Sequence, residues 1–597
     1  MLLEPSRRSN KSGTLVRCFF FLYNKVYHKD SENIGGFYLM DHQDHQKLAE
    51  LLFPHITKTP EDYEKQYPPR NLPEGAKVTR LGPSPTGFIH LGNLYGAFVD
   101  ERLAHQSGGV FYLRIEDTDD KRYVEGAVDI IIDSLRFFGI DFDEGATKDG
   151  DLGSYGPYHQ SERGEIYQCF AKELVKKGQA YPCFLTSEEI EAIRTAQEER
   201  KENPGIYGKY ALCRDLTPEE VASKIASGLS YVIRLRSDGR TDLPPEEMRH
   251  IEVEDGIRGT LSMPENNQDI VILKANGIPT YHFAHVIDDH FMRTTHVVRG
   301  AEWLPSLPIH VELFEKTGFA MPIFCHTAQL MKIDEESGQK RKLSKRKDPE
   351  LSLDYYRNEG YHPKAVREYL LTILNSNYEE WRAEHPLAPI DDFDFSPEKM
   401  SSSGALFDLD KLNDVSKDTL VRIPAEELRV FLLSWSREFR PELAPLFEEN
   451  PEYIRRILDL GRTGDKPRKD FVYAKQIFSF ISYFFDEYFR IEDSLPENAA
   501  ADAKEILSEY LAGYRHSDDQ SEWFAKIRAI AEKLGYAAKP KDFKKNPELY
   551  KGHVGDVSTV IRIALMGRAQ SPDVWEIQQI LGEERTRSRI QAFCSAL

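Results

Sequence analysis

Cysteine is scarce in this chain. Six in 597 residues, at Cys18, Cys169, Cys183, Cys213, Cys325 and Cys594, form no disulfide framework, so a reducing, cytoplasmic compartment is expected. Long apolar runs are missing as well. None approaches the roughly 20 residues that span a bilayer, and no membrane partner is expected. Internal repeats and low-complexity tracts are absent, which sets aside repeat architectures and long disordered arms. An excess of positive charge is also lacking: 78 Lys and Arg against 98 Asp and Glu give a formal net charge of −20. That argues against a nonspecific DNA or membrane-surface binder. RNA recognition stays open, because phosphate contacts depend on local patches and several Lys/Arg clusters interrupt the acidic background.

With 40% hydrophobic and 29% charged residues, the chain has an ordinary globular composition. Its length calls for three to five packed units rather than one core. Residues 1–39 stand apart: Arg7, Arg8, Lys11 and Arg17 precede a short apolar run, Cys18-Phe19-Phe20-Phe21-Leu22-Tyr23. A basic, acid-poor stretch of this kind suits a transit peptide. The plainer expectation is an extension, disordered or upstream of a translation start at Met40. Residues 40–75 read as a helical lead-in and a Pro-rich linker.

Then the rhythm changes. Lys77–Leu81 reads as a strand, 91–106 as a helix, Val110–Ile115 as a strand, and 123–138 as a helix with Val124, Ala127, Val128, Ile131, Leu135 and Phe138 on one face. The alternation predicts an α/β fold, Rossmann-like, with a doubly wound parallel sheet. Residues 76–186 form its first half and 269–348 its second, with strands at 269–273 and 295–299. Between them, 187–268 break the pattern and read as an inserted α+β subdomain. Beyond 348 the chain turns helical to its end, and the aromatics of 471–489 fall at a spacing that suits a core rather than a nucleic-acid platform.

Two segments carry most of the chemistry. Pro83-Ser84-Pro85-Thr86-Gly87-Phe88-Ile89-His90-Leu91-Gly92-Asn93 reads as a strand passing through a Pro/Gly turn into a helix N-terminus, a natural phosphate site. There His90 could donate to a phosphate oxygen that gains charge, and Gly92 would admit a ligand closely. A capping or core histidine is the plain alternative. Lys342-Leu343-Ser344-Lys345-Arg346 gathers cations on a loop. Lys342 and Lys345 could neutralise phosphates and Ser344 add a hydrogen bond, although such a run alone reads as solvated. Together the segments point to an enzyme that activates something with ATP.

Arg80 and Arg299 leave their strands at the carboxyl ends, where ligands bind in such sheets, and either could clamp a carboxylate bidentately. Glu116-Asp117-Thr118-Asp119 closes the second strand. Glu116 suits an ammonium group, the adjacent carboxylates suit Mg²⁺, and Thr118 or Asp119 suits a helix cap. Spacing leaves all three open. Cys183 and Cys213, with Tyr207, Tyr210 and His159 in the surrounding sequence, raise a zinc knuckle, but two Cys pairs are lacking and no metal site is expected.

These motifs carry a resemblance. Gly82–Gly87 with His90–Asn93, Leu113–Asp119, Pro279–Ala284, Arg299–Leu304 and Lys342–Arg346 resemble the signatures of class I aminoacyl-tRNA synthetases, specifically the bacterial-type glutamyl-tRNA synthetases, from about residue 76 onward. The resemblance implies that a glutamate carboxylate attacks the α-phosphate of ATP-Mg²⁺, giving glutamyl-adenylate and pyrophosphate. The terminal adenosine of tRNA(Glu), and in some members of tRNA(Gln), then takes the glutamyl group. It implies a glutamate site of Arg80, Ser84, Glu116, Tyr281 and Arg299, with His285 beside it. It implies an ATP site of His90, Gly92, Trp303, Lys342, Ser344 and Lys345, in which His90, Lys342 and Lys345 serve the chemistry. Residues 187–268 would meet the tRNA acceptor end, 349–430 its stem, and 431–597 its anticodon. Members usually need bound tRNA before they activate glutamate, and monomers are common.

Four departures stand out. His285 takes the place of a frequent Asn, and Gly82 that of a common Ala. Leu185 replaces the second Cys of a zinc-binding Cys-x-Cys, so zinc is not expected. Residues 1–75 have no counterpart in the core pattern. Among alternatives, glutaminyl-tRNA synthetases resemble β-barrels at the C-terminus, whereas Asp556–Gly567 reads helical. The short paralogue that glutamylates a tRNA base, and a small-molecule nucleotidyl transferase, lack so long a C-terminal region. An inert RNA-binding homologue would have lost His90 or the lysines.

Overall fold

The computed structural model describes residues 40–86, 89–119, 124–241, 243, 245–402, 404–464 and 466–597. The 1–39 extension, with its transit-peptide reading, lies outside the described residues, as do Gly87 and Phe88 of the first motif. Two compact units are present, the first mainly up to Gln329 and the second mainly from Leu330 onward.

In chain order the elements up to Gln329 are α1 (His42–Leu52), α2 (Pro60–Gln66), β1 (Val78–Leu81), α3 (Leu91–Gln106), β2 (Val110–Leu113), α4 (Ala127–Phe137), β3 (Glu144–Thr147) and β4 (Gly150–Leu152). They continue with α5 (Gly164–Lys176), β5 (Ala180–Cys183), α6 (Ser187–Glu199), α7 (Pro218–Ala226), β6 (Val232–Leu235), β7 (His250–Asp255), β8 (Gly259–Pro264) and β9 (Val271–Leu273). Last come α8 (Tyr281–Phe291), β10 (His296–Gly300), α9 (Leu307–Thr317) and β11 (Ile323–Thr327).

Strands β1, β2 and β3 are parallel, with β4 antiparallel at the edge. Strands β10, β11 and β7 form a second parallel set, with β8 closing it as the antiparallel arm of a hairpin. The two sets meet at β1 and β10. The Thr295 N–H donates to the Val78 carbonyl at 2.9 Å, and the Val78 N–H donates to the Thr295 hydroxyl at 2.8 Å. Chain order runs outward from this seam through β1, β2 and β3 on one side and from β10 to β11 on the other, where the earlier strands β7 and β8 add beyond β11; the reversal at β1 and β10 makes the seam the switch point of a doubly wound sheet. All four residues of β1 are buried, as covered parallel strands require.

The insert does not stand apart as a separate unit. Strand β6 pairs with β5 and β9 on either side, and β7 pairs with β11, so the insert is stitched into the parallel framework. Its helices α6 and α7 start at capping boxes, Thr186 with Glu189 and Thr217 with Glu220. The lead-in is also built in. Leu48, Ala49, Leu52, Phe53 and Tyr63 are buried in one core with α5 and α8, each large side chain contributing about 1.5–3 kcal/mol. Lys172 donates to the Phe53 and Ile56 carbonyls at 3.2 and 2.9 Å, and Arg70 clamps Glu144 through both nitrogens at 2.8 and 3.0 Å.

The second unit opens with a hairpin of β12 (Leu330–Ile333) and β13 (Lys340–Lys342). Beyond residue 348 the one strand among the described residues is the two-residue Ala405–Leu406; the rest is helix and connection. The helix Val554–Met566 ends at Gly567, whose φ is +77° and where a Cβ would lie 1.8 Å from the Arg490 carbonyl, so only glycine fits. The structure splits the aromatic run of 471–489. Tyr483, Phe484 and Phe485 join the core, whereas Phe480 is 41% exposed and lines a pocket with Phe471, Lys417, Arg462, Arg468 and Lys469.

Candidate active site

Arg80 leaves β1 and Arg299 leaves β10 on either side of the seam, and the Arg80 Nη1 donates across it to the Val298 carbonyl at 3.5 Å. Both side chains are buried beside one carboxylate that sequence reasoning did not single out. Asp289, on α8 and wholly buried, lies 3.4 Å from Arg80 Nε, 2.6 Å from Arg114 Nη1 and 2.9 Å from His285 Nδ1. Burial alone would raise its pKa, but Arg114, His285 and Arg80 hold it well below the usual carboxylate range. Arg114 also donates to Glu116 at 3.1 Å. Burial pushes the Glu116 carboxyl upward, against the pull of Arg114 and Arg80.

Gly82 gains its reason here. A Cβ at this position would sit 2.4 Å from Glu116 Oε1, so the carboxylate occupies the space that a side chain at 82 would need. Asp117 faces elsewhere, accepting from the Ser161 N–H and hydroxyl at 2.8 and 2.7 Å and lying 3.2 Å from His159 Nδ1. The adjacent carboxylates thus point to different partners and do not converge as a cation site would require.

Arg299 is held on three sides. Its guanidinium carbon lies 4.6 Å from the centre of the Phe324 ring, its Nε donates to His326 Nε2 at 3.0 Å, and its Nη1 donates to His310 Nδ1 at 2.9 Å. An arginine has donors only, so both imidazoles must accept. Their protons are therefore on the far nitrogens. His326 Nδ1 donates to Asp255 at 2.6 Å, and His310 Nε2 donates to His282 Nδ1 at 3.0 Å. Burial lowers the pKa of both rings, which keeps them neutral. Burial also brings Arg299 down to about 10, still a cation at neutral pH. Its remaining nitrogen, Nη2, is buried with the Tyr281 hydroxyl beside it and makes no well-formed hydrogen bond among the described residues. A buried cation with donors to spare is the part of this crevice that calls for an anionic ligand.

Tyr281, the first residue of α8, forms the wall, 4.6 Å from the ring of Trp303, which is 37% exposed. His285 has no exposed surface, stacks behind Tyr281 with the rings 5.8 Å apart, and lies 2.9 Å from Asp289.

At the other motif His90 is the N-cap of α3. Its Nδ1 accepts from the Asn93 N–H at 3.2 Å, and the Asn93 side chain accepts from the His90 N–H at 3.0 Å. The capping and phosphate roles are compatible, because a neutral ring accepting at Nδ1 carries its proton on Nε2, the nitrogen away from the helix. At Gly92 a Cβ would lie 2.9 Å from His90 Cε1, so glycine lets the ring lie over the helix end. Ser84 is exposed on the preceding turn, its carbonyl accepting from the Thr86 N–H at 2.8 Å.

In the second unit Lys342 ends β13 and Ser344 and Lys345 follow on the turn. Asp348 shapes that turn by accepting from the Ser344 N–H at 2.8 Å and from both Arg341 amino nitrogens at 2.6 and 2.7 Å. Arg341 and Asp348 fix the loop, and Lys342 and Lys345 are exposed on it.

Elsewhere, the contact with Cys213 draws the Cys183 thiol downward. Tyr210 donates to Glu202 and Tyr207 to the Asn203 carbonyl, and no cluster of three metal-ligating side chains occurs among the described residues.

Arg114, Asp289, Asp255, His310 and His326 were not singled out from the sequence. A signal existed for two of them. Arg114 interrupts the apolar strand Val110-Phe111-Tyr112-Leu113, and Asp288-Asp289 interrupt the apolar helix around Val286, Ile287 and Phe291. Charges inside apolar elements must find each other.

A sequence profile described as "tRNA synthetases class I (E and Q), catalytic domain" matches residues 77–414, and one described as "Anticodon binding domain" matches 435–594. The chain belongs to the class I tRNA synthetases of this type. Among similar proteins, a glutamate–tRNA ligase of Acetivibrio thermocellus is 64% identical over 550 residues, covering 92% of this chain and 99% of that one. Another from Clostridium perfringens is 50% identical over 552 residues, covering 92% and 100%. The crystal structure of a glutamate tRNA ligase from Elizabethkingia meningosepticum in complex with its amino acid matches with a TM-score of 0.66 at 28% identity, covering 87% of this chain and 99% of that one. Within the class, the family is that of the glutamate–tRNA ligases. The 92% share exceeds what residues 76–597 supply, so the likeness reaches back into the lead-in, which corrects the expectation that 1–75 have no counterpart. The helical second unit and the anticodon-domain match fit this family and not the β-barrel end expected of the glutaminyl alternative.

Proposed function

We propose that the chain activates L-glutamate with ATP-Mg²⁺ and esterifies the 3′ end of tRNA(Glu). The observation that carries this reading is the crevice at the β1–β10 seam, where Arg80 and the unspent Nη2 of Arg299 offer positive charge in a buried setting. An amino acid with a second carboxylate is the substrate that such a site selects, and a neutral amide would leave the cations unmatched. Glu116, set against Gly82 and Arg114, takes the ammonium group. Tyr281 walls the site, with His285 behind it, and Ser84 lies on the turn after β1.

The substrate carboxylate then attacks the α-phosphate. His90 Nε2 donates to a phosphate oxygen as charge develops, with Gly92 leaving room for its ring. Trp303 is assigned to the adenosine, and Lys342, Ser344 and Lys345 to the triphosphate. Most of the rate is positioning and charge stabilisation, as expected of chemistry at phosphorus. The insert, 187–268, is assigned to the acceptor end and 349–430 to the stem. The helical region from 431 is assigned to the anticodon, where Phe471 and Phe480 with Arg462, Arg468 and Lys469 suit a stacked base. The enzyme works as a cytoplasmic monomer, a reading in keeping with free cysteines and no membrane-length apolar helix among the described residues.

The test is Arg299→Ala. Its KM for glutamate should rise by about 100-fold or more while the KM for ATP changes little, as loss of a buried carboxylate partner dictates. An unchanged KM for glutamate would refute the clamp.

A further inference from the structure

Arg299 would be a poor clamp if its guanidinium could turn. Four rotatable side-chain bonds give arginine a large rotamer entropy, and a buried cation with mobile ends discriminates weakly. What fixes it comes largely from outside its own strand. Asp255 is the last residue of β7, at the base of the insert's β7–β8 hairpin, and its side chain is fully buried. Its Oδ1 accepts from the Ile257 and Arg258 N–H groups at 3.0 and 2.9 Å, which closes the hairpin turn on the carboxylate. Its Oδ2 accepts from His326 Nδ1 at 2.6 Å, and Nε2 on the far edge of that ring accepts from Arg299 Nε at 3.0 Å. The Arg258 Nε donates back to the His326 carbonyl at 2.9 Å. The backbones are just as close: the Gly256 N–H donates to the Phe324 carbonyl at 2.8 Å, and a Cβ on Gly256 would lie 2.7 Å from Cys325 Sγ.

We propose that Asp255 and His326 are positioning residues for glutamate recognition, a dyad that fixes one imidazole tautomer so that Nε2 accepts from Arg299 and leaves Nη2 for the substrate carboxylate. The proposal rests on the reading of Arg299 as the clamp. Its force is directional. An arginine can only donate, a carboxylate can only accept, and the imidazole between them satisfies both with its proton on Nδ1. The base of the insert thereby sets the orientation of a group in the amino-acid site.

The proposal makes an unusual demand of Asp255→Asn. In that variant the amide oxygen stays with the Ile257 and Arg258 N–H groups, and the amide NH₂ faces His326 Nδ1. The ring must then accept at Nδ1 and carry its proton on Nε2, donor against donor with Arg299. An isosteric change two side chains from the substrate should therefore disturb glutamate binding.

Tested in the full chain by pyrophosphate exchange at saturating tRNA, Asp255→Asn and His326→Leu should each raise the KM for glutamate by about tenfold or more, with kcat and the KM for ATP within about threefold of wild type. His326→Gln should recover most of the loss, because its amide oxygen can accept from Arg299 while its NH₂ donates to Asp255. Adding His326→Leu to Arg299→Ala should raise the KM no further, because the dyad acts through Arg299. If Arg299→Ala raises the KM for glutamate and both Asp255→Asn and His326→Leu leave it unchanged, the dyad is refuted and the clamp stands. Equal losses in His326→Leu and His326→Gln, falling on kcat and on both substrates, would also overturn it in favour of a structural role. Should His326→Leu fail to fold, Asp255→Asn against His326→Gln decides the matter alone. If Arg299→Ala itself leaves the KM for glutamate unchanged, the clamp reading fails, and the dyad with it.

Discussion

Asp289 is the residue on which two functional side chains lean, and Asp289→Ala is the perturbation with the most calculable outcome. Its carboxylate faces Arg114 at 2.6 Å and Arg80 at 3.4 Å, with the arginine side chains 0% and 5% exposed. Removing it leaves two buried guanidinium groups and, beside them, only Glu116, already 3.1 Å from Arg114. One positive charge thus loses its buried partner. Breaking a buried pair from one side costs about 3–5 kcal/mol, more than the pair contributes net, because the stranded charge remains desolvated. Asp289→Asn retains an acceptor and the volume, and should cost about 1.5–3 kcal/mol, the range for a hydrogen bond to a charged group. Urea unfolding followed through the first unit measures both. The same variants should raise the KM for glutamate, since Arg80 loses the oxygen that orients it. A loss below about 1 kcal/mol for Asp289→Ala, with an unaltered KM for glutamate, would refute the network as drawn.

Three further outcomes follow from the same geometry. Lys345→Ala should abolish ATP–pyrophosphate exchange at saturating tRNA while leaving tRNA affinity nearly intact; normal exchange would remove Lys345 from the triphosphate. Gly92→Ala should displace the His90 ring and slow exchange by about 10- to 100-fold, with about 1 kcal/mol lost from the α3 cap. Wild-type exchange in that variant would show that the ring does not need its present position. Finally, burial lowers His282, His285 and His296 from an ordinary 6.5 to about 4. Between those values the unfolded chain holds protons that the folded one does not. Stability is therefore whole above pH 6.5 and falls toward pH 4, by about 1.4 kcal/mol per pH unit for each histidine. A melting temperature flat from pH 7 to pH 5 would contradict this.

The first half of the sheet was legible because its periodicity is local: β1, α3 and β2 each announce themselves within a few residues. Arg80, Glu116 and Arg299 were legible for a related reason, since their places at strand ends follow from the alternation itself. Asp289 and His326 were not. Asp289 meets Arg114 across 175 positions, and His326 meets Asp255 across 71. No local pattern encodes pairings of that range. The insert's attachment was hidden in the same way, because the pairings of β6 with β5 and β9 and of β7 with β11 join residues far apart in sequence. The lead-in read as a helix followed by a Pro-rich linker, but not as core: the partners of Leu48, Leu52 and Phe53 on α5 lie more than a hundred positions away. That Gly92 makes room for its neighbour's ring was not legible, because the His90 ring position is set by the cap and not by the spacing.

The most direct test of the account is pyrophosphate exchange at saturating tRNA(Glu) with glutamate and glutamine in turn as the amino acid. Two cations at the β1–β10 seam, one with a donor left unspent, predict exchange with glutamate and a preference over glutamine of about 10⁴-fold, the range for a site whose buried charged groups would otherwise go unmatched. Exchange that proceeds comparably with glutamine would contradict it.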